Sequence, residues 1–148
     1  MSNGIRTALV AFSVIVAFSL TAAQAAAQTD KSLFTEYKGV KIGFASDDVR
    51  TKLGAPKEKS DALDLYIFSD NESAQFYYDA KKAVNAMMIT YTGDLKSAPM
   101  AKDIFGIDVP AKDGTVFKME RYPKAGYWIS YTRTSGSDAM VNIAIQKM

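Results

Sequence analysis

Carboxylates are the side chains through which this chain could do acid–base chemistry or hold calcium, because its 148 residues include neither Cys nor His. Without thiols or imidazoles there is no Ser-His or Cys-His nucleophile, no disulfide, no thiolate metal site and no His-ligated zinc or haem. Asp61 and Asp64 stand just before an apolar run, and Asp70-Asn71-Glu72 separates that run from the next. No ligand loop of about twelve residues surrounds either group, so both read as turn chemistry, in which short Asp and Asn side chains accept nearby amides. Ser-x-x-Lys, Gly-x-Ser-x-Gly and the glycine-rich phosphate loops are also missing. A small carboxylate-dependent hydrolase is the one enzymatic reading left, and neither a cofactor nor a metal is expected.

Binding chemistry is better represented. Tyr37, Tyr66, Phe68, Phe76, Tyr77, Tyr78, Tyr91, Tyr122, Tyr127, Trp128 and Tyr131 lie in or beside runs that read as strands. Rigid Tyr and Trp with a few charges are what protein-binding surfaces favour, and their other use is in cross-strand ladders and core. Tyr66, Tyr91 and Trp128, with Arg121 and Arg133 nearby, are the candidate partner-binding residues. Strand alternation splits the aromatics between two faces. Helices cover one, so the other is expected to stay open.

The elements that position these residues come in two similar series. Ser46 to Gly54 reads as a short helix, with Ser46 as its cap, Asp47 and Asp48 at the positive end, Gly54 as its stop and Pro56 preventing continuation. Strand-like runs follow at Leu63 to Phe68, Ser73 to Asp79 and Val84 to Tyr91. Ser97 to Gly106 repeats the helix pattern, with a capping Ser, an early Pro and a terminal Gly, and the runs Thr115 to Tyr122, Tyr127 to Arg133 and Ala139 to Lys147 follow it. Gly54 and Gly106 are 52 residues apart. The expectation is an α+β fold of two tandem helix-β-β-β units, residues 38–93 and 97–148. Their short helices would pack on one face of an antiparallel sheet within a single domain, residues 28–148.

Compartment is read from the first 27 residues. Arg6 precedes an apolar run, Ala8 to Leu20, and the small-residue tract Thr21 to Ala27 carries Ala-x-Ala sites ending at Ala25 and Ala27. That is the order of a secretory signal, placing the mature chain in the periplasm or the external medium. An uncleaved signal would instead anchor it, since Thr7 to Ala27 is uncharged and just long enough to span a bilayer. Setting those residues aside leaves 17 basic side chains (18 less Arg6) against 16 acidic ones, so no basic face is available for nucleic acid. Membrane contact would come only from an uncleaved signal or through an envelope partner.

Val40-Lys41-Ile42-Gly43-Phe44, then Val49, then Leu53-Gly54-Ala55-Pro56 resembles the opening motif of the small outer-membrane lipoprotein A and BamE-like domains. Phe76 to Val84 is similar to their hairpin, in which an aromatic strand turns through Asp and a basic residue. The likeness spans Lys38 to Tyr91. Two tandem units of helix on meander also resemble the β-lactamase-inhibitor protein fold. These resemblances imply binding without catalysis, envelope scaffolding in the first case and enzyme inhibition in the second. The chain departs from the lipoproteins in lacking a lipid-bearing Cys and from the inhibitor in lacking Cys pairs. The expected function is thus a noncatalytic binding or scaffold module with a protein partner, and the alternative is an inhibitor of a secreted or periplasmic enzyme.

Overall fold

Runs in which β-branched, aromatic and small residues alternate build the strands of this protein, and Gly, Asp and Pro punctuate them. The computed structural model describes residues 32–148, and the export-signal reading of residues 1–27 lies outside them. Helix α1 spans Ser46–Leu53, β1 Glu58–Lys59, β2 Leu63–Ser69, β3 Glu72–Tyr78 and β4 Val84–Thr92. A single 3-10 turn at Leu95–Ser97 leads into α2, Ala101–Phe105, and then β5, Val116–Tyr122, β6, Tyr127–Arg133, and β7, Met140–Lys147. All seven strands form one antiparallel sheet in the order β1-β2-β3-β4-β7-β6-β5. The fold is α+β and dominated by its sheet. Among the described residues no helix is long and apolar enough to cross a membrane.

Both helices lie on the same face, and the strand parity that meets them makes the core. Phe76, Ile89, Ile129, Tyr131, Ile143 and Ile145 are buried there, with Val49 of α1 and Ile104 of α2 above them. Central register is fixed by Ile89 opposite Ile143 and Met87 opposite Ile145, across β4 and β7. Slipping either strand by one residue would turn these side chains out to solvent.

Local capping differs from the sequence expectation. Ser46 is buried within the first turn of α1, and Ala45 is the N-cap with no side-chain bond. An isolated bridge between Ala45 and Ala83 anchors this end of the helix, and the Ser46 amide donates to Lys82 O at 2.8 Å. Ser97 likewise closes the 3-10 turn instead of capping α2, whose N-cap amide, that of Met100, donates to Asp103 at 2.7 Å. The two-residue β1 was not legible, because Glu58 and Lys59 carry no alternation.

Gly54 ends α1 as expected, at φ 84° and ψ −162°, a region that essentially only Gly occupies. Nothing lies within 4 Å of where its Cβ would stand, so a side chain there is opposed by the backbone alone. Gly54→Val should cost about 1 to 3 kcal/mol. Denaturant midpoints of variant and parent check this, and coincident midpoints would show that the turn relaxes freely.

Candidate functional site

The helix-covered parity runs Asp64, Tyr66 and Phe68 in β2, Ala74, Phe76 and Tyr78 in β3, and Tyr127, Ile129 and Tyr131 in β6. The opposite parity faces away from both helices. Register aligns it in rows across the six long strands. One row is Leu63, Tyr77, Ala86, Gln146, Trp128 and Arg121; the next is Leu65, Gln75, Met88, Ala144, Ser130 and Met119. A third holds Ile67, Ser73, Thr90, Asn142, Thr132 and Phe117. Arg121 is the one charged side chain in these rows. Phe117 is 60% exposed and Ile67 57%, at opposite ends of the third row, and Met88 and Met119 are exposed in the row beside it.

Small residues at the centre leave a depression in this face. Ala86 and Ala144 floor a groove of about 440 Å³ whose lining includes Tyr77 on one side and Trp128 on the other, with Gln146 and Asn85 contributing amides. Tyr77 donates its hydroxyl to Gln75 on the same strand and face, which holds the ring in place. The buried Oδ1 of Asn85 has no hydrogen-bond partner among the described residues. Asn85 sits where the β3–β4 register shifts between Tyr77 and Tyr78, so Val84 joins the core parity and Ala86 the open one. Aromatic walls, a small-residue floor and neutral amides suit desolvation by a partner surface.

The five candidate residues divide between the faces. Trp128 and Arg121 lie on the open face, opposite each other in the β5–β6 register. Tyr66 and Tyr91 do not: they are 3% and 6% exposed, on the parity that meets the helices. Tyr66 donates to Gly54 O at 3.0 Å and stacks on Phe68, and burial pushes the Tyr91 hydroxyl up to about 12. Arg133 shares parity with Tyr131 and lies at a small depression beside α2, lined also by Met100 and Asp108, away from the open face. Tyr77, Phe117 and Met119 belong to the face and were missed. The available signal was parity: Phe76 and Tyr78 flank Tyr77, so if they are core it is not.

Two carboxylates read as turn chemistry are instead anchors, Asp64 buried and Glu72 half-buried. Asp64 lies inside β2, fully buried, and accepts from Arg50 Nε at 2.8 Å, Arg50 Nη2 at 3.0 Å and the Tyr78 hydroxyl at 2.8 Å. Burial, and then the charge and hydrogen bond of Asp64, push the Tyr78 phenol far above its ordinary range. Glu72 opens β3 and accepts from the Tyr37 hydroxyl at 2.6 Å and pairs with Lys38 Nζ at 3.1 Å. Burial raises the Glu72 carboxyl, but bonds from Tyr37 and Lys38 outweigh it and leave the group below its ordinary value. Both carboxylates are occupied in holding the N-terminal segment and α1 onto the sheet. Asp61 and Asp70 are surface groups, Asp61 paired with Lys82 at 2.7 Å and Asp70 in the turn between β2 and β3. Among the described residues no three His, Cys, Asp or Glu gather to hold a metal ion.

A crystal structure of a DUF4309 family protein, YjgB from Bacillus subtilis, is similar to this chain with a TM-score of 0.51 and 14% identity, over 76% of this chain and 86% of that one. At that identity the likeness concerns the fold alone. No family model matches the sequence, and no curated protein does.

Proposed function

We propose that this protein is a noncatalytic exported module, periplasmic or secreted, that captures a protein partner on the open face of its sheet. The carrying observation is the face itself: three aligned rows with exposed Phe117, Ile67, Met88 and Met119, one charge, and a groove between Tyr77 and Trp128. Trp128 and Arg121 act as anchor residues, and Tyr77 walls the far side of the groove. Two of the carboxylates that could have served catalysis, Asp64 and Glu72, are taken up by structural donors, which favours binding over hydrolysis.

A duplicated origin is part of this reading. A helix followed by antiparallel strands occurs twice in the element order, four strands after α1 (the two-residue β1 first) and three after α2, and the last strand of each series, β4 and β7, pairs with the other at the centre. Such an arrangement supports two tandem units contributing to one sheet face.

Trp128→Ala should leave stability nearly unchanged, because the ring lies off the core, and should weaken partner capture by about 1 to 4 kcal/mol. The measurement is pull-down from an envelope extract with parent and variant as bait, followed by titration of the identified partner. Capture of an envelope assembly protein supports scaffolding, and capture of a secreted enzyme with loss of its activity supports inhibition. A partner held equally well by the variant would move the site off this face.

A further inference from the structure

The two edges of the sheet are built differently. One edge ends at β1, two residues long and both charged, with Pro56 just before it. Shortness, charge and proline are the usual means of keeping an edge strand from pairing with another chain. The other edge ends at β5, seven residues without proline, without a bulge in its pairing to β6, and with Phe117 and Met119 exposed.

Which backbone groups of β5 are free follows from its neighbours. Thr134 N donates to Met140 O and Met148 N to Gly126 O, both at 2.9 Å, so even-numbered residues of β6 direct their backbone groups to β7. Odd-numbered ones therefore face β5, where the register pairs them with Val116, Lys118, Glu120 and Tyr122. The amides and carbonyls of Phe117, Met119 and Arg121 point outward, and among the described residues no backbone group meets them.

We infer that β5 is a self-pairing edge: two copies of this chain join β5 to β5, antiparallel, about a two-fold axis at Met119. Charge selects this register. With the axis at Met119, that residue faces its own copy and Phe117 faces Arg121 as hydrogen-bonded pairs. Lys118 then faces Glu120 of the other copy as the intervening non-hydrogen-bonded pair, the position where side chains come nearest. The axis generates this ion pair twice, beside the intrachain Lys118–Glu120 pair at 3.1 Å. Moving the axis to Lys118 or to Glu120 sets like charges opposite each other, which is destabilising. An Arg121 guanidinium beside Phe117 adds a cation–π contact at each end. The axis stands normal to the sheet, so both open faces lie on one side of a continuous double-width sheet. This inference does not depend on what the open face binds.

Sedimentation equilibrium of the purified protein should show a dimer. Met119→Pro removes the central outward amide without touching the β5–β6 ladder, so it should give a monomer that still unfolds in one cooperative transition, no longer dependent on protein concentration. Lys118→Glu alone and Glu120→Lys alone should each weaken self-association at least about tenfold, since each opposes two like-charged pairs. Mixed in equal amounts, those two variants should associate with one another, because every facing pair is again of opposite sign. A protein monomeric at millimolar concentration, a dimer indifferent to Met119→Pro, or a mixture no more associated than its components would overturn the inference. Pairing of β5 with a strand from a different protein would leave this chain monomeric alone and counts against it.

Discussion

Arg50→Ala should destabilise the protein by about 3 to 5 kcal/mol, because it strips the cation from a carboxylate that has no access to water. Asp64 is fully buried, and two of its three donors are Arg50 nitrogens. Arg50 also donates to Ser60 O at 3.2 Å, which ties the segment before β2 to α1. Removing the guanidinium leaves Asp64 with the Tyr78 hydroxyl alone. The cost measures an orphaned charge and not the net worth of the pair, because taking both ions out of water offsets most of their attraction. Replacing the whole set with apolar residues, Arg50→Met with Asp64→Leu and Tyr78→Phe, should therefore cost less than Arg50→Ala alone. Urea midpoints of the two variants decide it. If the triple variant is the less stable, the cluster contributes net stability and the desolvation argument fails.

That cluster also shows where the sequence stopped being legible. Element type followed from alternation and punctuation: β6 has the expected bounds, the other five expected strands shift by a residue or so, and Gly54 and Gly106 end the two helices. Asp64 did not follow, since a carboxylate before an apolar run looks like a turn residue until its partners are known. Those partners are Arg50 and Tyr78, each 14 residues away in the chain and brought together only by helix-on-sheet packing. Glu72 was hidden in the same way, its partner Tyr37 lying 35 residues before it. The candidate site was legible in part. Alternation divided each strand into two faces, but which face the helices cover depends on their direction of approach. Tyr66, Tyr91 and Trp128 were therefore named together as candidates, and the structure puts Trp128 on the open face and Tyr66 and Tyr91 under the helices.

The same parity argument predicts the largest contrast among the aromatics. Tyr66→Ala and Tyr91→Ala should each cost about 3 to 5 kcal/mol, the range for deleting a large buried ring, whereas Trp128→Ala should stay within about 1 kcal/mol of the parent. Tyr66 packs edge-on against Phe76 with centroids 5.6 Å apart, stacks on Phe68 at 5.8 Å, and closes the end of α1 through its bond to Gly54. Losing it opens a cavity under α1 and removes the bond that ties the helix stop to the sheet. Tyr91 is buried opposite Glu72 in the β3–β4 register, where the strand that carries it is central and cannot move aside. Trp128 leaves no such void, because its neighbours across the sheet are Arg121 and Gln146, both exposed. Chemical denaturation of the three variants at one pH separates the classes. Equal destabilisation by all three would mean that the face bearing Trp128 is packed against something, and the assignment of an open face would fall with it.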